Sequence, residues 1–249
     1  MTKILLIFTY IVLITLPLKN SFGEMLNTEI SQEVISISSN FTGKKILLFG
    51  NVETKGEIII TITGPKEKII VHEKKPRLGI WVNSKKIVFS DVPSYYAIIS
   101  SSNINEIIPK KLQIKLAIGA NHLKFKANKE SNVSKNELLN FKFGLIRNKV
   151  RQKLYSSAEN SVKFNNNLFR SDINFPTNAP EGKYIINTYL VEKNKIINIK
   201  ENFIFITKVG VERKIYNFAN EKPALYGLLA IIIAIFSGSL ASIIFRKIN

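Results

Sequence analysis

The chain of 249 residues has no cysteine. That excludes disulfides, thiol catalysis, a lipid-modified N-terminal cysteine and cysteine-based metal sites. Histidine is nearly absent: His72 and His122 are the only two, and they stand at no ligand spacing. A zinc site is therefore not expected, and a Ser–His–acid triad would have to use one of these two. Ser94, in Pro93-Ser94-Tyr95-Tyr96, lacks the glycines of a nucleophile elbow and reads as a serine at the start of a strand. No phosphate loop or dinucleotide fingerprint occurs. Acid is scarce, with 18 Asp and Glu against 36 Lys and Arg, a net charge of +18. These absences predict no catalytic residue, no cofactor and no metal, hence a non-enzyme.

What is present begins with two apolar ends. Ile4 to Leu18 follows Met1-Thr2-Lys3 and precedes Ser21-Phe22-Gly23. The run is short for a hydrocarbon core of ~30 Å, which takes about 20 apolar residues. One Lys, an apolar run and small residues two apart predict a secretory signal over residues 1–23, with an uncleaved anchor as the alternative. The second run, Ala224 to Phe245, has no charge within it and would reach roughly 33 Å as a helix. Pro223 suits the first helical position, Tyr226 suits the headgroup layer, and Arg246-Lys247 are expected to stay cytoplasmic. We therefore expect a transmembrane helix over 223–245 and a cytoplasmic tail over 246–249.

The charge excess fits an anionic partner, anionic lipid or nucleic acid. Export argues against nucleic acid. Lys3 and Lys19 are the only charges of the leader, so the remainder keeps about +16. Arg stands only at positions 77, 147, 151, 170, 213 and 246, and Ile and Asn abound. A Lys/Ile/Asn excess also follows from an AT-rich genome, which competes with selected anion binding as its cause.

The body reads as short alternating strands. Ile35/Ile37, Lys45–Phe49, Ile58–Thr63, Ile69–Val71, Ile80–Val82, Ile87–Phe89 and Tyr95–Ile99 follow one another between turn residues. This predicts an antiparallel sandwich or barrel. Leu112 to Ile118 alternates too, but Asn103 and Pro109 are helix-start signals, so that stretch stays open. Ser134-Lys135-Asn136-Glu137 is a capping box, and Leu139, Phe143, Ile146, Val150 and Leu154 form an apolar stripe behind it. The expected helix packs this stripe on the core while Lys142, Lys149 and Lys153 snorkel; a membrane-surface helix is the alternative. Strands resume at Val162–Ile173, Lys183–Val191 and Phe203–Lys208. Tyr184 stands two residues before Ile186, the relation of a tyrosine corner in an immunoglobulin-like sandwich. The expected layout is a β-sandwich region over 24–130, a helical insertion over 131–158 and a second β region over 159–222 that borrows strands from the first or packs against it.

Two binding features stand out. Lys74, Lys75 and Arg77 lead into Trp81, the only tryptophan, which suggests an anion- or partner-binding edge with an aromatic platform. The alternative is a solvated turn leading to a core tryptophan. In the C-terminal run, Gly227, Ala230, Ala234, Gly238 and Ser242 make a small-residue stripe. Such a stripe lets helices approach closely in lipid, and points to a membrane-protein partner or a second copy; the alternative is that small residues are simply common in membrane helices.

Phe41-Thr42-Gly43, Leu48-Phe49-Gly50, Gly64-Pro65, Gly79-Ile80-Trp81-Val82-Asn83, Pro93-Ser94-Tyr95-Tyr96-Ala97, Pro180-Glu181-Gly182-Lys183-Tyr184 and Leu225-Tyr226-Gly227-Leu228-Leu229-Ala230 occur in this order. Together they resemble the "putative transmembrane protein" family of alphaproteobacteria, over nearly the whole chain after the leader. The resemblance implies a Gram-negative inner membrane and a periplasmic domain, and carries over no catalytic or ligand residue. The expectation is a mainly-β, immunoglobulin-like antiparallel β-sandwich ectodomain with one inserted helix on a single C-terminal transmembrane helix. It would serve as a non-enzymatic accessory or binding module for another envelope protein. The alternatives are a glycan- or anionic-lipid-binding module and, behind it, a hydrolase.

Overall fold

A computed structural model describes residues 25–128, 134–208 and 211–248. The expected signal, residues 1–23, lies outside the described residues. In chain order the elements are β1 (Leu26–Ile30), β2 (Val34–Ile37), β3 (Lys44–Val52), β4 (Glu57–Thr63), β5 (Lys66–Arg77), β6 (Ile80–Pro93) and β7 (Tyr96–Ser100). Then come α1 (Ile104–Ile107), α2 (Lys110–Leu116), a single 3-10 turn, β8 (Lys126–Ala127), α3 (Lys135–Arg151), β9 (Tyr155–Ala158), β10 (Val162–Asn165) and β11 (Leu168–Phe175). The chain closes with β12 (Gly182–Glu192), β13 (Lys195–Lys208), α4 (Val211–Glu221) and α5 (Pro223–Ile248).

The period-two runs do become strands, and they build a mainly-β body. One sheet is four-stranded and antiparallel, in the order β1-β3-β11-β10. A second is six-stranded, in the order β2-β13-β12-β4-β7-β9. Inward residues of both sheets share one apolar core, among them Leu26, Leu48, Phe169 and Ile173 from the first and Ile60, Ile98, Ile186 and Ile204 from the second. The pairing β3·β11 and the pairing β4·β12 each join an early strand to a late one. The expectation of purely antiparallel pairing needs a correction: β2 runs parallel to β13, and β7 parallel to β9. Parallel neighbours need a long crossover. The one from β7 to β9 is filled by α1, α2 and α3.

The stretch left open between strand and helix resolves to α1 and α2. Leu112 to Leu116 lie in α2, which Pro109 precedes at the N-cap without a side-chain hydrogen bond, and Asn103 caps α1 upstream by accepting from the Asn105 amide at 2.9 Å. The tyrosine corner forms: the Tyr184 hydroxyl donates to the Pro180 carbonyl at 2.6 Å, and Tyr184 and Ile186 are fully buried. Tyr184 packs with Tyr95 and Phe175 at centroid distances of 5.6 and 5.4 Å.

β5 and β6 form one hairpin of 12- and 14-residue strands, where three short strands were expected. With β8 it makes the third sheet. Its base is packed: Ile87, Phe89 and Val92 bury against Phe141 and Leu145 of α3. The capping box of Ser134 and Glu137 starts α3 as expected. The stripe does not turn inward as expected. Of its helical members only Ile146 is buried, while Leu139, Phe143 and Val150 are exposed. The buried face runs through Phe141, Leu145, Ile146 and Lys149 instead. The helix is rotated because Phe141 and Leu145 meet the hairpin base.

Candidate functional site

Lys74, Lys75, Arg77 and Trp81 come together in the distal half of the hairpin. Arg77 pairs with Ile80, and the two-residue turn between them is Leu78-Gly79, with φ of 48° and 81°. Positive φ at both central residues suits the right-handed twist of the strands and favours Asn-Gly or Asp-Gly. Gly79 meets that demand. Leu78 does not, and a left-handed backbone costs an ordinary L-residue roughly 1–2 kcal/mol. Its side chain is fully exposed at the apex, so no burial offsets that cost.

Directly opposed residues in an antiparallel pair share a face. Lys74 with Asn83 and Pro76 with Trp81 therefore lie on one face. Lys75 with Val82 and Arg77 with Ile80 lie on the other. The four site residues thus share a tip but divide over its two sides. Trp81 is 69% exposed, so it is not a core tryptophan. From Lys74 to Lys86 there are five cations, Lys74, Lys75, Arg77, Lys85 and Lys86, and no acid. Glu73, the residue before them in the chain, accepts from the Ser84 hydroxyl at 3.0 Å and stands 3.5 Å from Lys75.

The tip projects because the base is held. Lys85 Nζ donates to Glu137 Oε1 of α3 at 2.5 Å. The Lys85 hydrogen bond, with those of Ser134, holds the Glu137 carboxyl down to about 2. Nearer the core, the Lys149 ammonium reaches the Glu67 carboxylate and donates to the Ser94 carbonyl at 3.1 Å. The Lys149 side chain is only 9% exposed. Sequence reasoning had it snorkel to solvent; its partner lies 82 positions away, and nothing local announces it. Beyond the Lys85 clamp, four residue pairs remain, a ribbon of roughly 13 Å with no third strand beside it among the described residues.

Two further apolar surfaces are exposed; sequence reasoning missed the first and expected the second to pack on the core, with a membrane-surface helix as the alternative. On the outer face of the four-stranded sheet, Leu47, Phe49 and Leu168 line an open depression of about 440 Å³ with Lys163, Asn165 and Arg170. The exposed row Leu139, Phe143 and Val150 on α3 is the second. Alternation reveals that strand residues divide between two faces, but not that both faces carry apolar groups.

Of the groups that could do chemistry, His72 is exposed on β5 and several others lie within the packed body. His122 Nδ1 lies 2.7 Å from the Ile118 carbonyl. The Ser94 hydroxyl is buried without a hydrogen-bond partner, and a Cβ added at Gly64 would stand 2.9 Å from it. Burial pushes the Tyr95 hydroxyl up to about 12 and raises Tyr96, Tyr155 and Tyr184 as well. Tyr95 and Tyr155 donate to the carbonyls of Asn174 and Pro93 at 3.0 and 2.7 Å. Among the described residues no group of three or more His, Asp or Glu is placed to hold a metal.

α5 is the one helix among the described residues long and apolar enough to cross a membrane, with mean hydropathy 2.2 over Pro223–Ala241. None of that window is buried against the rest of the chain. Gly227, Ala230, Ala234, Gly238 and Ser242 all lie within it or its continuation to Ile248. A Cβ added at Gly227 or Gly238 would meet nothing within 4 Å. α4, which sequence reasoning missed, precedes it, and Phe218 meets Tyr226 across the break at a centroid distance of 6.2 Å.

No curated protein matches the chain. The model of a protein family described as "Putative transmembrane protein" matches residues 25–247, which takes in the β body, the hairpin, α4 and nearly all of α5. The chain belongs to that transmembrane protein family.

Proposed function

We propose that this is a single-span inner-membrane protein whose β domain stands in the periplasm as a non-enzymatic binding module for another envelope protein. The observation that carries the reading is the exposure of apolar side chains on braced elements, outside any enclosed cleft: Leu139, Phe143 and Val150 on α3, and Phe49 and Leu168 on the four-stranded sheet. Exposed apolar groups on rigid surfaces are what a protein contact uses. We read the two-sheet body as a divergent immunoglobulin-like sandwich. The Tyr184 corner supports that reading; the two parallel edge strands are its departures.

Within the membrane the partner is met through the face of Gly227, Ala230, Ala234, Gly238 and Ser242, and it is a polytopic protein or a second copy. Close approach of backbones stabilises helix pairs in lipid, where burying apolar surface gains little. Ala234→Leu with Gly238→Leu keeps the helix apolar but fills that face. Affinity purification from detergent-solubilised membranes is expected to recover a complex with the native chain and lose it with the double variant, with membrane localisation unchanged. An unchanged complex, or none in either case, would overturn the helix-docking reading.

A further inference from the structure

The hairpin tip departs from the local rules that favour a stable ribbon. A two-stranded ribbon that no third described strand flanks gains little stability of its own in water. This one is nonetheless held out from the body by the Lys85–Glu137 pair. At its apex Leu78 breaks two local preferences together: a left-handed backbone that suits Asn, and full exposure of a large apolar side chain. Where local preferences are broken without compensation inside the fold, function is the usual beneficiary.

The apolar groups also point in every direction. Leu78 stands at the apex, Trp81 beside Pro76 on one face, and Ile80 beside Val82 on the other. Ile80 and Trp81 are 65% and 69% exposed. A groove or flat protein surface would cover one face and leave the other in water. A medium that closes round all sides of a convex tip is a fluid apolar layer. Behind the tip, Lys75 and Lys74 fall on opposite faces, two and three pairs back from the closing pair Arg77–Ile80, and Lys86 lies further down. Long cationic side chains there reach a plane of phosphates while their stems follow the apolar surface. Tryptophan favours that same boundary.

We propose that the β5–β6 tip inserts Leu78, Ile80 and Trp81 into the surface of an anionic bilayer, with Lys74, Lys75 and Arg77 on its phosphate groups. The insertion is interfacial: the ~13 Å ribbon beyond the clamp is far shorter than a ~30 Å hydrocarbon core. The inference deepens the binding-module reading by naming a ligand for one surface, and relies on it only for which compartment the bilayer faces.

Trp81 is the chain's only tryptophan, so it reports on its own tip. The full chain is reconstituted into bilayer discs of phosphatidylglycerol or of phosphatidylcholine, with bromine on the acyl chains. A parallel arm leaves the discs unbrominated and adds brominated vesicles, which separates the bilayer holding α5 from an opposing one. In phosphatidylglycerol, Trp81 emission should shift to shorter wavelength and be quenched by acyl bromine at least twofold more than in phosphatidylcholine, in one arm or the other. Added salt should weaken the effect. Leu78→Asn suits the turn better, so folding and melting should hold or improve while the quenching falls by half or more. Combined Lys74→Glu, Lys75→Glu and Arg77→Glu should abolish the preference for phosphatidylglycerol. The proposal is overturned if aqueous acrylamide quenches Trp81 equally in both lipids and both arms, the result expected for a tip reserved for an acidic protein. It is equally overturned if Leu78→Asn leaves bromine quenching unchanged. No partner is present in these measurements, so their failure leaves the co-purification result untouched.

Discussion

Gly50 of β3 and Phe169 of β11 sit directly opposite one another, and the pair shows how much one missing atom does in this core. A Cβ at position 50 would stand 2.6 Å from the Phe169 ring and 2.3 Å from the Asn27 carbonyl oxygen. The ring is 2% exposed, laid over the glycine on the inward face. Gly50→Ala must push the ring outward or separate β3 from β1. Forced overpacking of this kind costs about 1–3 kcal/mol. The expected outcome is a denaturation midpoint lowered accordingly, with no change in the unfolding slope. A midpoint equal to that of the native chain would show that the ring has room to move. At this scale the sequence was legible where a residue answers to near neighbours, as Tyr184 does with Pro180 four positions back. Lys149 answers to Glu67, and no local pattern distinguishes it from Lys142 or Lys153.

Between elements, the junction of α3 with the hairpin carries the site. The Lys85–Glu137 pair joins β6 to the first turn of α3, where the Ser134 cap also bonds the same carboxylate at 3.0 Å. Lys85 and then Ser134 hold the Glu137 carboxyl down to about 2, against an ordinary value of 4.5. A carboxyl more acidic in the folded chain contributes stability above its unfolded value and loses it as pH falls. The melting temperature should therefore decline between about pH 4.5 and pH 2 through this pair, and Glu137→Gln should flatten that part of the profile. Matching profiles would mean that the exposed pair is screened by solvent and contributes nothing measurable. The capping box that starts α3 was legible because Ser134 and Glu137 are three apart. The buried face was not: both Leu139–Phe143–Val150 and Phe141–Leu145 have helical spacing, and only the hairpin base decides between them. The hairpin was under-read for a related reason. Its distal strands keep no clean alternation, since apolar and cationic groups occupy both faces.

For the whole molecule, the order of body and anchor sets what the surfaces can reach. Most of the cations of a chain of net charge +18 lie on a domain joined to α5 through α4. Reporters fused after Lys208 test the orientation: activity is expected only from one that works outside the cytoplasm, and activity of a cytoplasm-dependent reporter there would reverse the proposed topology. The anchor itself was legible because an uninterrupted apolar run needs no tertiary context, whereas α4 was missed because eleven mixed residues before it carry no cap signal of that strength. The strand that leads to the anchor has a further consequence. β13 lies inside the six-stranded sheet, antiparallel to β12 along Gly182–Glu192 and parallel to β2 at Val34–Ile37. Its interstrand hydrogen bonds lie across its length. Tension arriving through α5 and α4, from a membrane that moves relative to whatever the domain holds, therefore runs along β13 and loads those bonds in shear. β12 alone pairs the strand from Lys195 to Ile204, both neighbours pair it at Phe205 and Ile206, and β2 alone pairs it at Thr207 and Lys208, so a pull on the tether loads the short β2 pairing first and the long β12 pairing behind it.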